Sequence, residues 1–330
     1  MLKNTALCCT TINPDSRILE KNINGWKNKH IFISLDLKAL NKKNVYKKFI
    51  THNRKPVSPY EKVCPLNSYS RKNISFIEAF KNDCQFIFET DDDNQINFKA
   101  LSPDPTIYFL QKGKKYKEKE NIFSKIYFCN DNIWARGYPL KWLEEKNNIK
   151  IKKSINSKKI GIVQFLVNGN PDVDAIFRLV KSNSINLRID KSSLPIEIFK
   201  TYHPFNSQAT LWPRSNFGLM YLPSTCDFRM CDIWRGYIAQ CILYKFGEGV
   251  LFDLPTVRQI RNEQLIYENF FSEYRGYKQS ELLVNFLSGY NIKSKTKEQA
   301  LVEIYRELIR KNLFKSSEIK QLLAYLNSLK

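Results

Sequence analysis

The sequence predicts an α/β fold in which helices flank a mainly parallel sheet and a helical segment follows at the carboxyl end. Apolar, β-compatible runs alternate with segments of amphipathic helical spacing, the pattern expected of a parallel sheet. Polar side chains follow several of these runs. Past Tyr277 only helical patterns remain. With 330 residues, 43% of them hydrophobic, the chain can build a core for one large domain or two ordinary ones.

The first two predicted strands each end in polar residues. TALCCTTI runs into hydroxyl side chains and Asn13-Pro14, and the DSRILEKNINGW segment after it has helical spacing. HIFISLDL reads as a second buried strand that closes on Asp36. Because ligands bind outside the carboxyl ends of strands in such sheets, these polar residues are site candidates.

Further elements continue the alternation. RKNISFIEAFKNDC places Ile74, Ile77, Ala79 and Phe80 on a helix stripe ahead of the strand QFIFE. KIYFCN, IGIVQFLVNG and FGLMYLP read as three more strands, and CDIWRGYIAQCILYKFG reads as an amphipathic helix that ends at Gly247. These elements predict a main domain over residues 1–277.

The segment 278–330 is predicted to be a helical appendage packed on that domain. Thr296 and Gln299 form a capping box ahead of ALVEIYRELI, and Ser316 or Ser317 can cap EIKQLLAYLNSL.

The chain is strongly basic, with 53 Lys and Arg against 32 Asp and Glu and a net charge of +21. Such a charge favours nucleotides, nucleic acids, anionic glycans or acidic membrane surfaces, although the base composition of an AT-rich genome explains it equally well. The basic residues are dispersed rather than gathered into one stripe, which disfavours a nucleic-acid-binding module. No oligomeric state follows from these features.

The eight cysteines include no CxxC pair and have no nearby histidine partners, so buried reduced thiols are expected. The first residues have too short an apolar stretch for a signal peptide, and no run is long enough to span a membrane. We therefore expect a cytoplasmic protein, and the charge is compatible with peripheral contact at the inner membrane face.

Three consecutive aspartates, Asp91, Asp92 and Asp93, follow the strand FIFET. Carboxylates this close repel one another, so a nearby positive charge is expected. Mg²⁺ or Mn²⁺ takes oxygen ligands and often binds one or two carboxylates together with substrate phosphates. The competing interpretation is an acidic turn before Asn94.

Four other places carry candidate chemistry, each with a structural alternative. Arg71, Lys72 and Asn73 could contact phosphates or form a solvated helix start. Asp172 is interpreted as a helix cap. The 206–212 segment suits sugar hydroxyls and ring stacking or is an ordinary strand. Asp232 could cap its helix or act as a general base. The chain has neither a P-loop nor a GxGxxG motif.

Several blocks, in order, resemble the STELLO proteins of plants and nematodes, a glycosyltransferase family. They are ETDDDN, ARGYPL, NPDVDAIFRL, FNSQATLW and CDIWRGYIAQ, and the likeness runs from about Thr10 to about Arg275. A more distant resemblance is to the reversibly glycosylated polypeptides, which are UDP-arabinopyranose mutases. The helical appendage lies outside the blocks that carry the resemblance.

The resemblance implies a GT-A type catalytic domain, with a Rossmann-like mixed sheet and a DXD-like aspartate group that binds Mn²⁺ or Mg²⁺. It implies Asp91 and Asp93 as metal ligands and Asp232 as the catalytic acidic residue that activates the acceptor hydroxyl. The residues implied on the nucleotide-sugar side are Thr10, Thr11, Asp36, Arg71, Lys72, Asn73 and Asp92. Those implied for the sugar or acceptor pocket are Trp134, Arg136, Gly137, Asp174, Asn206, Ser207, Trp212, Trp234 and Arg235.

The function expected from the resemblance is metal-dependent transfer of a sugar from a nucleotide-diphosphate-sugar donor to a glycan, lipid-linked or protein acceptor, as in polysaccharide biosynthesis. A nucleotide-sugar mutase is the alternative within the enzyme class. An inactive scaffold that retains the fold is a third alternative, which the intact aspartates disfavour.

Overall fold

The computed structural model describes residues 2–27, 30–35, 49–51, 54–111, 114–116, 133–143, 151–153, 159–170, 172–181, 194–260 and 265–330. These residues form one sheet of eleven strands. The strands are β1 Thr5–Thr11, β2 Ile31–Leu35, β3 Phe49–Thr51, β4 Phe86–Thr90, β5 Asn94–Ile96, β6 Lys114–Tyr116, β7 Ile151–Lys153, β8 Lys159–Gly169, β9 Ile196–Ile198, β10 Ala209–Pro213 and β11 Glu248–Gln259.

The sheet has the order β3-β2-β1-β4-β10-β8-β11-β9-β6-β7, with β5 paired to β11. Strands β1 to β4 are parallel where they pair, β10 runs antiparallel to both β4 and β8, and β8 is parallel to β11. The carboxyl ends of β1, β4, β8 and β11 therefore lie at one edge of the sheet, together with the amino end of β10. This edge positions the candidate site.

The helices flank this sheet. They are α1 Arg17–Gly25, α2 Lys72–Lys81, α3 Thr106–Leu110, α4 Ala175–Lys181, α5 Cys231–Lys245, α6 Ile266–Gly289, α7 Lys297–Arg310 and α8 Glu318–Ser328. The predicted α/β class with a mixed sheet is confirmed, and so is the helix that ends before Gly247, whose φ is +73°. A positive φ is the conformation that glycine adopts without steric cost.

The helical C-terminal segment shares its hydrophobic core with the sheet. Leu301 and Ile304 of α7 belong to one buried cluster with Ile77 of α2 and Ile87 of β4. The boundary predicted after Tyr277 falls inside α6, so the chain crosses it as an unbroken helix. The core continues across the sheet and the helices, which makes the appendage a packed layer.

Two predicted strands have different outcomes. The prediction for FGLMYLP is wrong, because residues Arg214–Met220 form a 3₁₀ helix whose last five residues are buried. An apolar run without alternation cannot distinguish a buried strand from a buried helical turn. The strand predicted at KIYFCN lies outside the described residues.

Helix α7 starts as the capping box predicts, with the Thr296 hydroxyl accepting from the Gln299 amide at 3.2 Å. Ser317 occupies the equivalent position of α8 but makes no side-chain cap bond. Thr296→Ala is expected to lower the free energy of unfolding by about 1 kcal/mol. Ser317→Ala is the matched control, expected to change it by less than about 0.5 kcal/mol. Urea unfolding of both variants measures the difference, and equal losses would contradict the assignment of the cap.

Candidate functional site

Asp91, Asp92 and Asp93 lie directly after β4 and each bonds a different neighbour. The Asp91 Oδ1 accepts from the Lys72 Nζ at 2.7 Å and from the Tyr69 hydroxyl at 2.5 Å. The Asp92 carboxylate accepts from the Thr11 hydroxyl at the end of β1. Burial, with a contribution from Asp91, raises the pKa of Asp92 against the opposing effects of Thr11 and Lys72. The three carboxylates thus diverge along the carboxyl edge of the sheet.

Asp93 joins the edge of β4 to the end of β11. Its Oδ2 accepts from the Gln259 amide at 3.0 Å, and its backbone carbonyl accepts from the Ile260 amide at 2.9 Å. This contact holds the β4–β5 turn against the last residues of β11. The position of Asp93 is therefore set by pairing across the sheet.

A fully buried lysine provides the positive charge beside these aspartates. Lys72 lies between Asp91 at 2.7 Å and Glu89 of β4 at 3.6 Å. Burial disfavours the ammonium, but the two carboxylates outweigh it and raise the pKa of Lys72. Because Lys72 already offsets charge here, the crowding of the aspartates does not by itself require a dication.

Glu89 anchors a second buried cation. Its two oxygens accept from the Arg235 guanidinium at 2.8 and 2.9 Å, and the Trp212 indole donates to it at 3.1 Å. The Arg235 guanidinium lies 5.2 Å from the centre of the Trp212 ring. These contacts fix helix α5 to strand β4 at Glu89, two residues before Asp91.

A chain of polar contacts connects the aspartates to Asp232 at the start of α5. The Tyr69 hydroxyl contacts both Asp91 and the Ser207 hydroxyl. The Ser207 Oγ donates in turn to the Asp232 Oδ2 at 3.4 Å. Burial and the neighbouring carboxylates raise the pKa of Tyr69, which keeps its hydroxyl available as a donor. The two ends of the predicted site therefore belong to one network.

Arg136 pairs with two carboxylates that arrive from different elements. It donates to Asp172 at 2.8 Å and to Asp232 at 3.1 Å. Asn206, ahead of β10, also donates to Asp172, at 2.9 Å. Burial opposes ionisation of Asp172, but Arg136 outweighs it and lowers the pKa of that carboxyl. The arginine thus orients Asp232 toward Ser207.

The predicted cap of α4 is wrong by two residues. Asp172 faces Arg136, whereas the Asp174 Oδ1 accepts from the Phe177 amide at 2.7 Å, the contact expected of a cap. The Trp134 indole donates to the other Asp174 oxygen at 2.6 Å. Trp134 and Asp174, two of the residues predicted for the sugar or acceptor pocket, are therefore bonded to each other.

The pKa of Asp174 leads to a prediction for stability against pH. Burial raises this pKa to about 6, with Glu273 and Asp172 adding to the effect and the two N–H donors opposing it. A raised carboxyl pKa stabilises the fold fully below the unfolded value near 3.9, and that stability is lost as the pH rises through 6. The contribution of Asp174 is expected to fall by about 3 kcal/mol across this interval.

Asp174→Asn is expected to flatten the stability profile between about pH 4 and 6. Urea midpoints measured across this range test it. Asp83→Asn, at an exposed turn, is the control and should leave the wild-type slope. The same slope in Asp174→Asn would contradict the raised pKa.

Four of the predicted site residues make contacts with buried neighbours. Trp212 is fully buried beneath Glu89 and offers no face for stacking. The Trp234 indole donates to Ser280 of α6, and Asn73 bridges Tyr60 and the Leu222 carbonyl. The Gly137 carbonyl accepts from Tyr237. These four residues stabilise the packing around the site.

The remaining predicted residues lie close to the same edge of the sheet or outside the described part. The Thr10 hydroxyl donates to the Ser34 carbonyl of β2, and Arg71 is buried at the start of α2. Asp36 lies outside the described residues.

Sequence reasoning missed three residues of the site. Tyr69 and Glu89 belong to the buried network, and Gln259 contacts Asp93. Glu89 sits inside the strand pattern, where an acidic side chain in a buried run is itself the signal. Phe228 is also notable, because its exposed ring lies 5.6 Å from Tyr69 at the edge of the network.

The fit of a metal to this site depends on the aspartate oxygens. Carboxylates are the hard donors that Mg²⁺ and Mn²⁺ prefer. Within the described ranges, no group of three or more His, Cys, Asp or Glu side chains is arranged to hold an ion. Binding of a dication by Asp91 and Asp93 therefore stays a prediction from the sequence and its resemblance.

The described residues thus form an α/β protein with a buried polar network at the carboxyl edge of its sheet. A family model described as STELLO glycosyltransferases matches residues 229–330. The chain is 22% identical over 279 residues to the probable glycosyltransferase STELLO1 of Arabidopsis thaliana, covering 80% of this chain and 36% of that protein. It is 25% identical over 209 residues to STELLO2 of the same plant, covering 59% and 27%.

The predicted resemblance to the STELLO glycosyltransferases is confirmed. The family match includes α7 and α8, so the similarity extends beyond the blocks that carry the resemblance into the helical segment. The chain spans about a third of the length of the curated relatives it matches.

Two solved structures of glucosyl-3-phosphoglycerate synthase from Mycobacterium tuberculosis also match. The UDP complex has a TM-score of 0.41 and the phosphoglyceric acid complex 0.42, both at 9% identity and covering 88% of this chain and 81% of that one. Similarity at this level supports no argument about function.

Among the described helices, none has the length and apolar character needed to cross a bilayer.

Proposed function

We propose that the protein is a metal-dependent glycosyltransferase that uses a nucleotide-diphosphate-sugar donor and a glycan, lipid-linked or protein acceptor. The observation that carries this proposal is the chain of polar contacts from Asp91 through Tyr69 and Ser207 to Asp232. This path runs from the edge of the sheet where a diphosphate could bind to Asp232, the candidate general base. The similarity to proteins named as probable glycosyltransferases supports the same class.

The aspartates would hold the metal at the end of β4. Asp91 and Asp93 would bind Mn²⁺ or Mg²⁺, which when bound neutralises the charge of a diphosphate leaving group. Lys72 keeps a second positive charge against Asp91, and Thr11 fixes Asp92 toward the end of β1. Positive charge near a diphosphate stabilises the charge that develops as the bond to the sugar breaks.

Asp232 is suited to the acceptor side. Its Oδ2 accepts a hydrogen bond from the Ser207 hydroxyl, and Arg136 donates to both oxygens of the carboxylate. An acceptor hydroxyl bound near Ser207 could pass its proton to Asp232 while its oxygen attacks the sugar. Arg136 would act by orienting that carboxylate and would not touch the substrate.

The proposal is tested by incubating the protein with a panel of UDP- and GDP-sugars and a membrane extract, with Mn²⁺ or with EDTA. We expect transfer that EDTA abolishes and added Mn²⁺ restores. Asp91→Asn should lower transfer by about 100-fold or more, whereas the exposed control Asp83→Asn should not. Transfer that persists undiminished in EDTA would contradict the metal site.

A reaction with the donor alone separates transfer from isomerisation. A mutase converts the donor into an isomeric nucleotide sugar without an acceptor, so that product would replace the proposal by the alternative function. Release of a nucleoside diphosphate only when acceptor is present supports transfer.

A further inference from the structure

Helix α6 has apolar residues on two faces, of which only one is buried. Leu283, Val284 and Leu287 pack into the core. On another face, Tyr267, Phe271, Tyr274 and Leu282 are 55%, 72%, 65% and 53% exposed. Their spacing of three, four and eight residues places these four side chains, the α6 aromatic stripe, along one side of the helix.

The stripe is held in place by its neighbours. The half-buried ring of Phe270 lies 5.8 Å from the Phe271 ring and 6.2 Å from the Tyr274 ring. Helix α4 packs beside α6, where the Glu273 carboxylate accepts from the Ala175 amide at 2.8 Å. Helix α4 also leaves Val180 72% exposed. The stripe therefore lies on a packed helix, and the neighbouring helix α4 also carries an exposed apolar residue.

A helix that is apolar on opposite sides is normally buried on both. Contiguous exposed apolar surface on a protein marks a site of interaction. Tyrosine and phenylalanine are suited to the boundary between lipid headgroups and acyl chains, where one part of the ring surface is apolar and the other is wet. We propose that the α6 aromatic stripe rests on the surface of an anionic lipid bilayer.

Charge favours a bilayer over a second copy of the chain. Two copies, each with a net charge of +21, repel one another, whereas an anionic membrane attracts both. The charges near the stripe are nearly balanced: Lys278 and Arg275 are exposed beside Glu268, and Lys141 lies 3.5 Å from Glu281. The attraction therefore comes from the whole chain, and the stripe supplies the apolar contact.

The stripe is physically linked to the candidate site. On α6, Glu273 accepts from Arg229 at 3.0 Å, three residues before Asp232. If the proposed function holds, a bilayer on α6 would bring a lipid-linked acceptor close to this site. The membrane contact itself does not depend on sugar transfer, so the two proposals can fail separately.

The test is co-flotation of the full chain with vesicles, without donor or acceptor. One set of vesicles is phosphatidylcholine alone, and the other contains about one third phosphatidylglycerol. We expect binding to the anionic vesicles that weakens as salt is added. Phe271→Ser with Tyr274→Ser should lower the partition constant by about tenfold or more. Leu110→Ser, at a 78% exposed leucine on α3, is the matched control and should bind like the wild type.

Three outcomes would overturn the proposal. One is the absence of wild-type binding to the anionic vesicles. Another is equal binding by the double variant and the wild type when both have the same melting temperature. The third is a wild-type dimer that the double variant converts to monomer, which would assign the stripe to a second copy. Loss of binding in the folded double variant, with binding retained in Leu110→Ser, supports the bilayer.

Discussion

Glu89→Gln is expected to lower the free energy of unfolding by about 3–5 kcal/mol. Glu89 is fully buried and is the carboxylate that faces Arg235, whose side chain is also buried. Within the described residues, the Arg235 Nε and one terminal nitrogen find no hydrogen-bond partner, so this guanidinium depends heavily on Glu89. The glutamine would leave the buried cation without a counterion, whereas Lys72 would keep Asp91.

Urea unfolding measures this loss, with an unchanged slope showing that the unfolded state is unaltered. Glu307→Gln is the control, because Glu307 pairs with the exposed Arg310 one turn along α7. Exposed pairs of this kind contribute less than about 1 kcal/mol. Similar midpoints for Glu89→Gln and the wild type would mean that Arg235 does not need the carboxylate.

Asp232→Asn is expected to lower the rate of sugar transfer by about 100- to 10,000-fold. The asparagine carbonyl in the place of Oδ2 can still accept from Arg136 and Ser207, and Arg136 keeps Asp172, so most of the network should persist although the Arg136 bond to Oδ1 is lost. The change removes the group that would accept the proton of the acceptor hydroxyl. Initial rates of transfer at saturating donor, together with the melting temperature, measure the effect.

The same substitution at Asp227, five residues earlier on the chain, provides the control. Asp227 is partly exposed, and Asp227→Asn should keep the rate within about twofold. A folded Asp232→Asn protein that retains more than about a tenth of the wild-type rate would exclude Asp232 as the base. Transfer would then need another acceptor for the proton.

The sequence predicted the parts of the fold that local chemistry specifies. The strand β8 and the helix α5 follow from runs of apolar residues with clear ends. The Thr296 cap follows from a side chain acting on its own helix. Both interpretations of the 206–212 segment apply in part. Ala209–Pro213 forms an ordinary strand, whereas Asn206 and Ser207 ahead of it join the polar network.

The roles of charged residues were predicted less well, since a charge takes the partner that the fold brings to it. Asp172 looks like a helix cap in the sequence but pairs with Arg136, which is 36 positions away. Trp212 looks like a stacking residue in the sequence but is fully buried and donates its indole N–H to Glu89. In both cases the partner belongs to a distant segment, and no local pattern indicates it.

The sequence by itself determined that polar residues, three of them aspartates, follow the strands of an α/β sheet, because strand and helix periodicities are local. Only the tertiary structure decided that Lys72 offsets Asp91, that Ser207 links the aspartate edge to Asp232, and that α6 keeps an apolar face exposed. These arrangements depend on which strand ends meet and which helix faces are covered. Residues far apart in the chain determine both.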